Sequence, residues 1–249
     1  AISDCFNDPD CFTEKLIEPA NNKVPFVKPE FTLEVDAKTN PERIDIAVVS
    51  SFMKINGLYM ELCKEIVECS EKEVIFHFYP MANGIFYHYV SKIIKAQLPN
   101  AFVYKSLPYN GFINSLARCD IRLGTFPFGG TNTNIDCFAL GIPYVTLAGP
   151  EAFSHQDTVF FQRAGLSDEL VAEDLDDYVG KVLKLIDDDD YRSVMSRKFQ
   201  EVYDSNILFE GDNDENRGIT ANTIKWVYNN ASTLKSSSNK VFREGDELH

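Results

Sequence analysis

Hydrophobic positions in the first forty residues follow no period, and Pro9, Pro19, Pro25, Pro29 and Pro41 punctuate them. Such a stretch reads as a connection laid on a surface. From Arg43 a rhythm sets in. Ile44–Val49 is a near-continuous apolar run, the pattern of a strand buried on both faces of a parallel sheet. Leu58, Leu62 and Ile66 then repeat at helical spacing, and Val74–Phe78 is the next strand. Val90, Ile93 and Ile94 mark a helix over Tyr87–Leu98, followed by a strand at Ala101–Tyr104 and a helix at Tyr109–Ala117. A strand over 121–124, a helix from Thr131 to Gly141 and a strand at Tyr144–Leu147 complete the alternation. Strands alternating with helices of about ten residues predict an α/β, doubly wound parallel sheet with right-handed crossovers.

Beyond the last of these strands, His155–Ala164, Asp176–Ile186, Tyr191–Tyr203 and Ile219–Tyr228 have helical spacing, and Glu169–Ala172 is a short extended piece. The organisation predicted is a connecting segment over 1–42, a Rossmann-like lobe over 43–204, a helix over 205–232 returning across it, and a frayed tail over 233–249.

The formal net charge of −14 sets the chain against phosphate backbones and argues against general nucleic-acid or anionic-membrane binding. The acidic runs Asp174–Asp177, Asp187–Asp190 and Glu210–Glu215 read as solvated helix ends and loops. No apolar stretch is long enough to span a membrane, and Ala1–Cys5 is no secretory signal. The absence of an initiator Met suggests a chain cut from something longer. The six cysteines include no Cys-x-x-Cys pair, which suits a reducing cytoplasm, although Cys5 and Cys11 could bridge in an oxidising one. His and Cys spacing predicts no metal site.

Candidate chemistry gathers where strands end. After the first long strand, Ser50–Asn56 brings Ser51 to donate to an anion and Lys54 to neutralise a phosphate. After the strand at 121–124 comes Phe-Pro-Phe-Gly-Gly, then Thr131, Asn132, Thr133 and Asn134. The turn at Gly129–Gly130 exposes backbone N–H groups between a strand's carboxyl end and a helix's amino end, where open α/β sheets hold nucleotide diphosphates. Thr131 reads as an N-cap, yet three polar side chains in a row exceed what capping needs. Asp136, one turn in, can accept from a ribose or sugar hydroxyl or simply complement the helix dipole. Tyr109 can bound a base or pack locally. His77, inside a strand, reads as a satisfied core histidine, whereas His155 and Asp157 open a helix that faces the same cleft.

These residues resemble a known group. Ser51–Asn56 (Ser-Phe-Met-Lys-Ile-Asn), Phe76–Phe78, Ser106–Tyr109 (Ser-Leu-Pro-Tyr), Phe126–Asn132 and Ile135–Asp136 line up in order with the carboxyl-terminal lobe of the bacterial N-glycosyltransferases that glucosylate adhesin asparagines. That group is related to O-linked N-acetylglucosamine transferase. The similarity runs over about residues 12–230 and includes Phe12–Leu16; Ser106-Leu107 stands where the bacterial enzymes carry His-Ser. The resemblance implies the second, UDP-sugar-holding lobe of a GT-B fold, a UDP-hexose donor, no metal and no cofactor beyond the donor, and inverting transfer to a protein or peptide acceptor. It places Lys54 and Ser51 on the diphosphate, with Lys54 as the catalytic group stabilising the departing UDP. Gly130, Thr131 and Asn132 fall at the pyrophosphate-facing helix start, Asp136 on the ribose and Tyr109 near the uracil. It also implies an amino-terminal GT-B lobe outside this sequence, so that this chain alone binds donor without turning it over.

Two other classes compete with that reading. An isolated, non-catalytic nucleotide-sugar-binding module would show the same loops, and a UDP-sugar 2-epimerase would share the lobe pattern but need carboxylates and a His in the cleft. A receiver-like phospho-acceptor domain requires an acidic pair after the first strand, where Ser50-Ser51 stands.

Overall fold

The computed structural model describes residues 12–18, 26–34, 42–149, 151–209, 219–243 and 245. Cys5, Cys11 and the acidic run at 210–215 lie outside the described residues.

The elements run β1 (Leu16–Glu18), β2 (Arg43–Val49), α1 (Gly57–Cys69), β3 (Glu73–Tyr79), α2 (Gly84–Gln97), β4 (Phe102–Val103) and α3 (Tyr109–Leu116). They continue through β5 (Ile121–Leu123), α4 (Asn132–Leu140), β6 (Tyr144–Leu147), α5 (Gln156–Ala164), α6 (Ser167–Leu170) and β7 (Val171–Ala172). The chain then forms α7 (Leu175–Asp187), α8 (Asp189–Asp204), α9 (Ile219–Asn229), α10 (Ala231–Ser236) and β8 (Val241–Arg243). Six strands make one sheet in the order β4-β3-β2-β5-β6-β7, every adjacent pair parallel. Counted along the chain within the sheet, this is the 3-2-1-4-5-6 order of the Rossmann fold, whose direction of winding reverses between β2 and β5.

Burial explains the central strands. Every β2 position after Arg43 is buried, as is every β3 position after Glu73. The polar members of these runs are paired: His77 Nε2 donates to Asp45 Oδ1 at 2.8 Å, and its Nδ1 lies 2.9 Å from the Tyr104 hydroxyl. His77 is thus the satisfied core histidine expected. Polar ends start the helices. Asn56 Oδ1 accepts from Tyr59 N at 2.9 Å to cap α1, Asp174 Oδ1 accepts from Asp177 N at 2.8 Å for α7, and Asp188 Oδ1 accepts from Tyr191 N at 2.8 Å for α8. Two of the acidic runs are therefore helix starts.

An aromatic cluster ties α4, α5 and α8 to β6, with Phe138 stacked on Phe199 at 4.3 Å and Tyr144 against Phe161 at 4.6 Å. α1 and α7 meet through Phe126, whose ring contacts both Tyr59 and Tyr178. Each such buried ring contributes about 1.5–3 kcal/mol of transfer free energy. Phe126 therefore anchors the loop after β5 in the core. At the far end of α4 the chain reverses at Gly141, whose φ of +65° is left-handed and favours glycine.

The strand alternation appears where the hydrophobic pattern predicts it, with β7 added as a sixth strand from the piece read only as extended. The segment 233–249, expected to fray, contains part of α10 and the strand β8. β8 pairs in parallel with β1, Leu16 opposite Val241, and so finds hydrogen bonds that no local pattern announces.

Candidate functional site

The loops leaving β2 and β5 meet at the carboxyl edge of the sheet, at the switch point, where open α/β sheets form ligand crevices. Three hydrogen bonds join them. Lys54 Nζ donates to the Gly129 carbonyl at 2.6 Å, Asn56 Nδ2 to the Phe126 carbonyl at 2.9 Å, and the Ser50 and Thr125 hydroxyls pair at 3.1 Å. Thr125 Oγ1 also lies 2.8 Å from the Phe128 carbonyl. Ser51 caps the short 3-10 turn Phe52–Lys54, its carbonyl accepting from Lys54 N at 3.0 Å. The ammonium and the glycine turn, 75 residues apart in sequence, thus form one rim.

Beneath the turn lies a buried polar chain. Arg122 on β5 is 0% exposed and donates through Nη1 to Asn134 Oδ1 at 2.6 Å. Asn134 Nδ2 donates to the Gly130 carbonyl at 2.7 Å and to Asp157 Oδ1 at 2.9 Å. Asp157, also 0% exposed, accepts the Gly130 N–H on Oδ2 at 3.2 Å. The guanidinium stands 4.6 Å over the Tyr144 ring, and its Nε and Nη2 have no hydrogen-bond partner among the described residues. Burial opposes its charge, but Cys137, Asp157, Tyr144 and Tyr59 together hold its pKa above the ordinary arginine value. For Asp157 burial wins and raises the carboxyl despite Arg122, Asn134 and the Gly130 N–H. Both glycines are needed at close quarters. A Cβ on Gly129 would overlap the Asp157 carboxylate, and one on Gly130 would lie 2.6 Å from Thr133 Oγ1 and 2.7 Å from Arg122 Nη2.

Thr131 occupies the N-cap position of α4, as expected, though its side chain makes no capping bond to the helix. Asn132 is exposed at the first helical position. Asp136 is buried and accepts from the Tyr109 hydroxyl at 2.6 Å; burial raises its carboxyl in spite of that bond. Tyr109, Asn132 and Asp136 line one cavity of about 330 Å³ together with Phe26, Val27 and Pro29. A second cavity of about 270 Å³, also lined by Tyr109, is bounded by Lys105, Ser106, Leu107 and Thr133. His155 sits at the N-cap of α5, half-buried, its carbonyl accepting from Thr158 Oγ1 at 2.8 Å.

Lys54, Gly130, Thr131, Asn132, Asp136 and Tyr109 are therefore brought to one edge, with Ser51 at the start of the 3-10 turn that ends in Lys54, and His155 two residues before Asp157. The sequence reading takes the turn's N–H groups as open to ligand. The Gly130 N–H is instead engaged by Asp157, because a buried carboxylate needs donors and the turn supplies one. Arg122 escaped that reading. Its only signal is a lone charge between Ile121 and Leu123 in an otherwise apolar strand, a position that demands a buried partner.

No family model matches the chain. Its fold is the Rossmann-like lobe of the GT-B glycosyltransferases. It superposes on a mutant Thermobaculum terrenum O-GlcNAc transferase with a TM-score of 0.66 at 13% identity, covering 82% of this chain and 39% of that one. On TarM the score is 0.52 at 16% identity, covering 77% of this chain and 37% of that one. In sequence, the chain is similar to a UDP-glucose:protein N-beta-glucosyltransferase of Actinobacillus pleuropneumoniae serotype 5b (strain L20), 34% identical over 208 residues. That alignment covers 82% of this chain and 34% of the relative, so the chain spans about a third of the length of the curated relatives it matches.

Proposed function

We propose that the chain is the donor-binding lobe of a glycosyltransferase that takes a UDP-hexose and transfers the sugar, with inversion and without a metal, to a protein side chain. The observation that carries this reading is the contact between Lys54 and the glycine turn at the sheet's switch point, beside the amino end of α4. A diphosphate lying there meets an ammonium and the opening N–H groups of a helix, which have no partners within the helix itself. In this reading Lys54 exchanges the Gly129 carbonyl for a phosphate oxygen. It then stabilises the charge that grows on UDP as the glycosidic bond breaks. Ser51, Thr131 and Asn132 add donors around the diphosphate, Asp136 accepts from the ribose by exchanging its Tyr109 partner, and Tyr109 borders the base. His155 flanks the same cleft. The acceptor, a protein or peptide, and an amino-terminal lobe complete the active enzyme, which works in the cytoplasm. No helix among the described residues is long and apolar enough to cross a membrane.

Calorimetry tests the donor part directly. The chain should bind UDP with and without EDTA, and Lys54→Ala should weaken that binding about tenfold or more, the scale of losing one charge-assisted bond. Unchanged affinity in that variant would remove the assignment. UDP binding without sugar transfer, in the chain and equally in the protein carrying both lobes, would favour the non-catalytic module.

A further inference from the structure

We infer that Asp157, acting through Asn134 and the Gly130 N–H, is a positioning residue that holds the glycine turn in its anion-receptive shape above the Arg122 guanidinium. This role rests on the donor-binding reading and adds to it the group that presets the turn.

The direction of every hydrogen bond in the buried chain is fixed by chemistry. An arginine can only donate and an ionised carboxylate can only accept. Arg122 therefore requires the carboxamide oxygen of Asn134 to face it, which turns the Asn134 NH₂ toward Asp157 and the Gly130 carbonyl. Asp157 in turn receives two N–H groups, one on each oxygen, from Asn134 and from the backbone of Gly130. Only a carboxylate serves both donors. An asparagine there would set its own NH₂ against one of them, whichever way it turned. The turn is thereby gripped at both ends of the Gly130 residue, and the preceding Gly129 carbonyl is left pointing at Lys54.

The second observation is the guanidinium itself. Arg122 is wholly buried, its Nε and Nη2 are unpartnered among the described residues, and the place of a Gly130 Cβ lies 2.7 Å from Nη2. An unpaired donor so close beneath a glycine turn is costly for folding alone. Its charge offsets that of the Asp157 carboxylate under the same turn, which would otherwise repel a diphosphate there.

The test compares UDP with uridine on the 249-residue chain and its variants. Asp157→Asn should raise the Kd for UDP about tenfold while changing the Kd for uridine less than twofold, since only the diphosphate meets the turn. The double variant Asn134→Asp with Asp157→Asn, which exchanges the two groups, should recover only part of that loss. In it, Arg122 and the carboxamide NH₂ at position 157 both donate to the carboxylate at position 134, and the carboxamide oxygen at position 157 is free to accept the Gly130 N–H again. The carboxylate at position 134 has no hydrogen to give the Gly130 carbonyl, so the turn is held at one end only. Equal weakening for UDP and uridine, or no weakening of UDP, overturns the role while leaving the donor reading in place. A wild-type chain that binds neither compound overturns both. Should Asp157→Asn fail to fold, the exchange variant alone decides: a UDP loss of less than about tenfold with uridine binding unchanged supports the role, and a UDP loss of about tenfold or more, or equal weakening of UDP and uridine, refutes it.

Discussion

Lys54 is where a single side chain has the most to lose. Its ammonium replaces water with one carbonyl at 2.6 Å in a half-buried position, so its removal costs the folded state little and a bound anion much. Lys54→Ala should melt within a few degrees of wild type, and the loss should appear in UDP affinity. Gly129 behaves in the opposite way. A methyl group at Gly129 overlaps a carboxylate that is itself locked by two hydrogen bonds, so Gly129→Ala should cost about 2 kcal/mol, read as a lower urea midpoint at constant m. Lys54, Thr131, Asn132 and Asp136 were legible in the sequence because each is a polar residue placed just after a buried strand or near the start of a helix. Arg122 and the engagement of the Gly130 N–H were not. The partners lie 12 and 27 residues away, and a three-residue strand reading Ile-Arg-Leu looks apolar to any periodicity.

Among the elements, β2 and β3 were plain from composition and are also where the fold should feel acid. Burial pushes Asp45 up, but the hydrogen bonds from His77 and Arg43 outweigh it and hold the carboxyl below its ordinary 3.8. A carboxylate depressed by folding contributes stability above its unfolded value, and that contribution is lost as pH falls through the folded value. Asp136 and Asp157, raised by burial, act with the opposite sign: their contribution is fullest below 3.8 and declines as pH climbs through their folded values. The gap in melting temperature between wild type and Asp45→Asn should accordingly narrow as pH falls below 3.8. A gap that widens on acidification would mean that Asp45 is not the stabilised partner of His77 and Arg43. The short elements resisted the sequence for a different reason. β7 has two residues and β8 three, and each exists because a neighbour supplies a parallel ladder, β6 for the one and β1 for the other. Strands that short carry no period of their own.

At the scale of the whole molecule, the strand order turns two distant loops into one site, and a ligand across them becomes a fastener between the two halves of the sheet. The loop after β2 belongs to the half containing β3 and β4, and the loop after β5 to the half containing β6 and β7. A nucleotide diphosphate bound to both should stabilise the fold by mass action, about 2.7 kcal/mol at a hundred times its Kd. For a chain of 249 residues this is a rise in melting temperature of about 5–10 °C. At the same UDP concentration a Lys54→Ala variant with tenfold weaker affinity should show about half the rise, because the stabilisation falls to about 1.4 kcal/mol. Uridine, which lacks the group that bridges the loops, should stabilise both proteins equally. The net charge of −14 disfavours a nucleotide anion at long range, so the share of the stabilisation that UDP has over uridine has to come from the local cluster of Lys54 and the start of α4. An equal thermal shift with UDP in wild type and Lys54→Ala would place the nucleotide away from the switch point, and with it the chemistry assigned to that edge of the sheet.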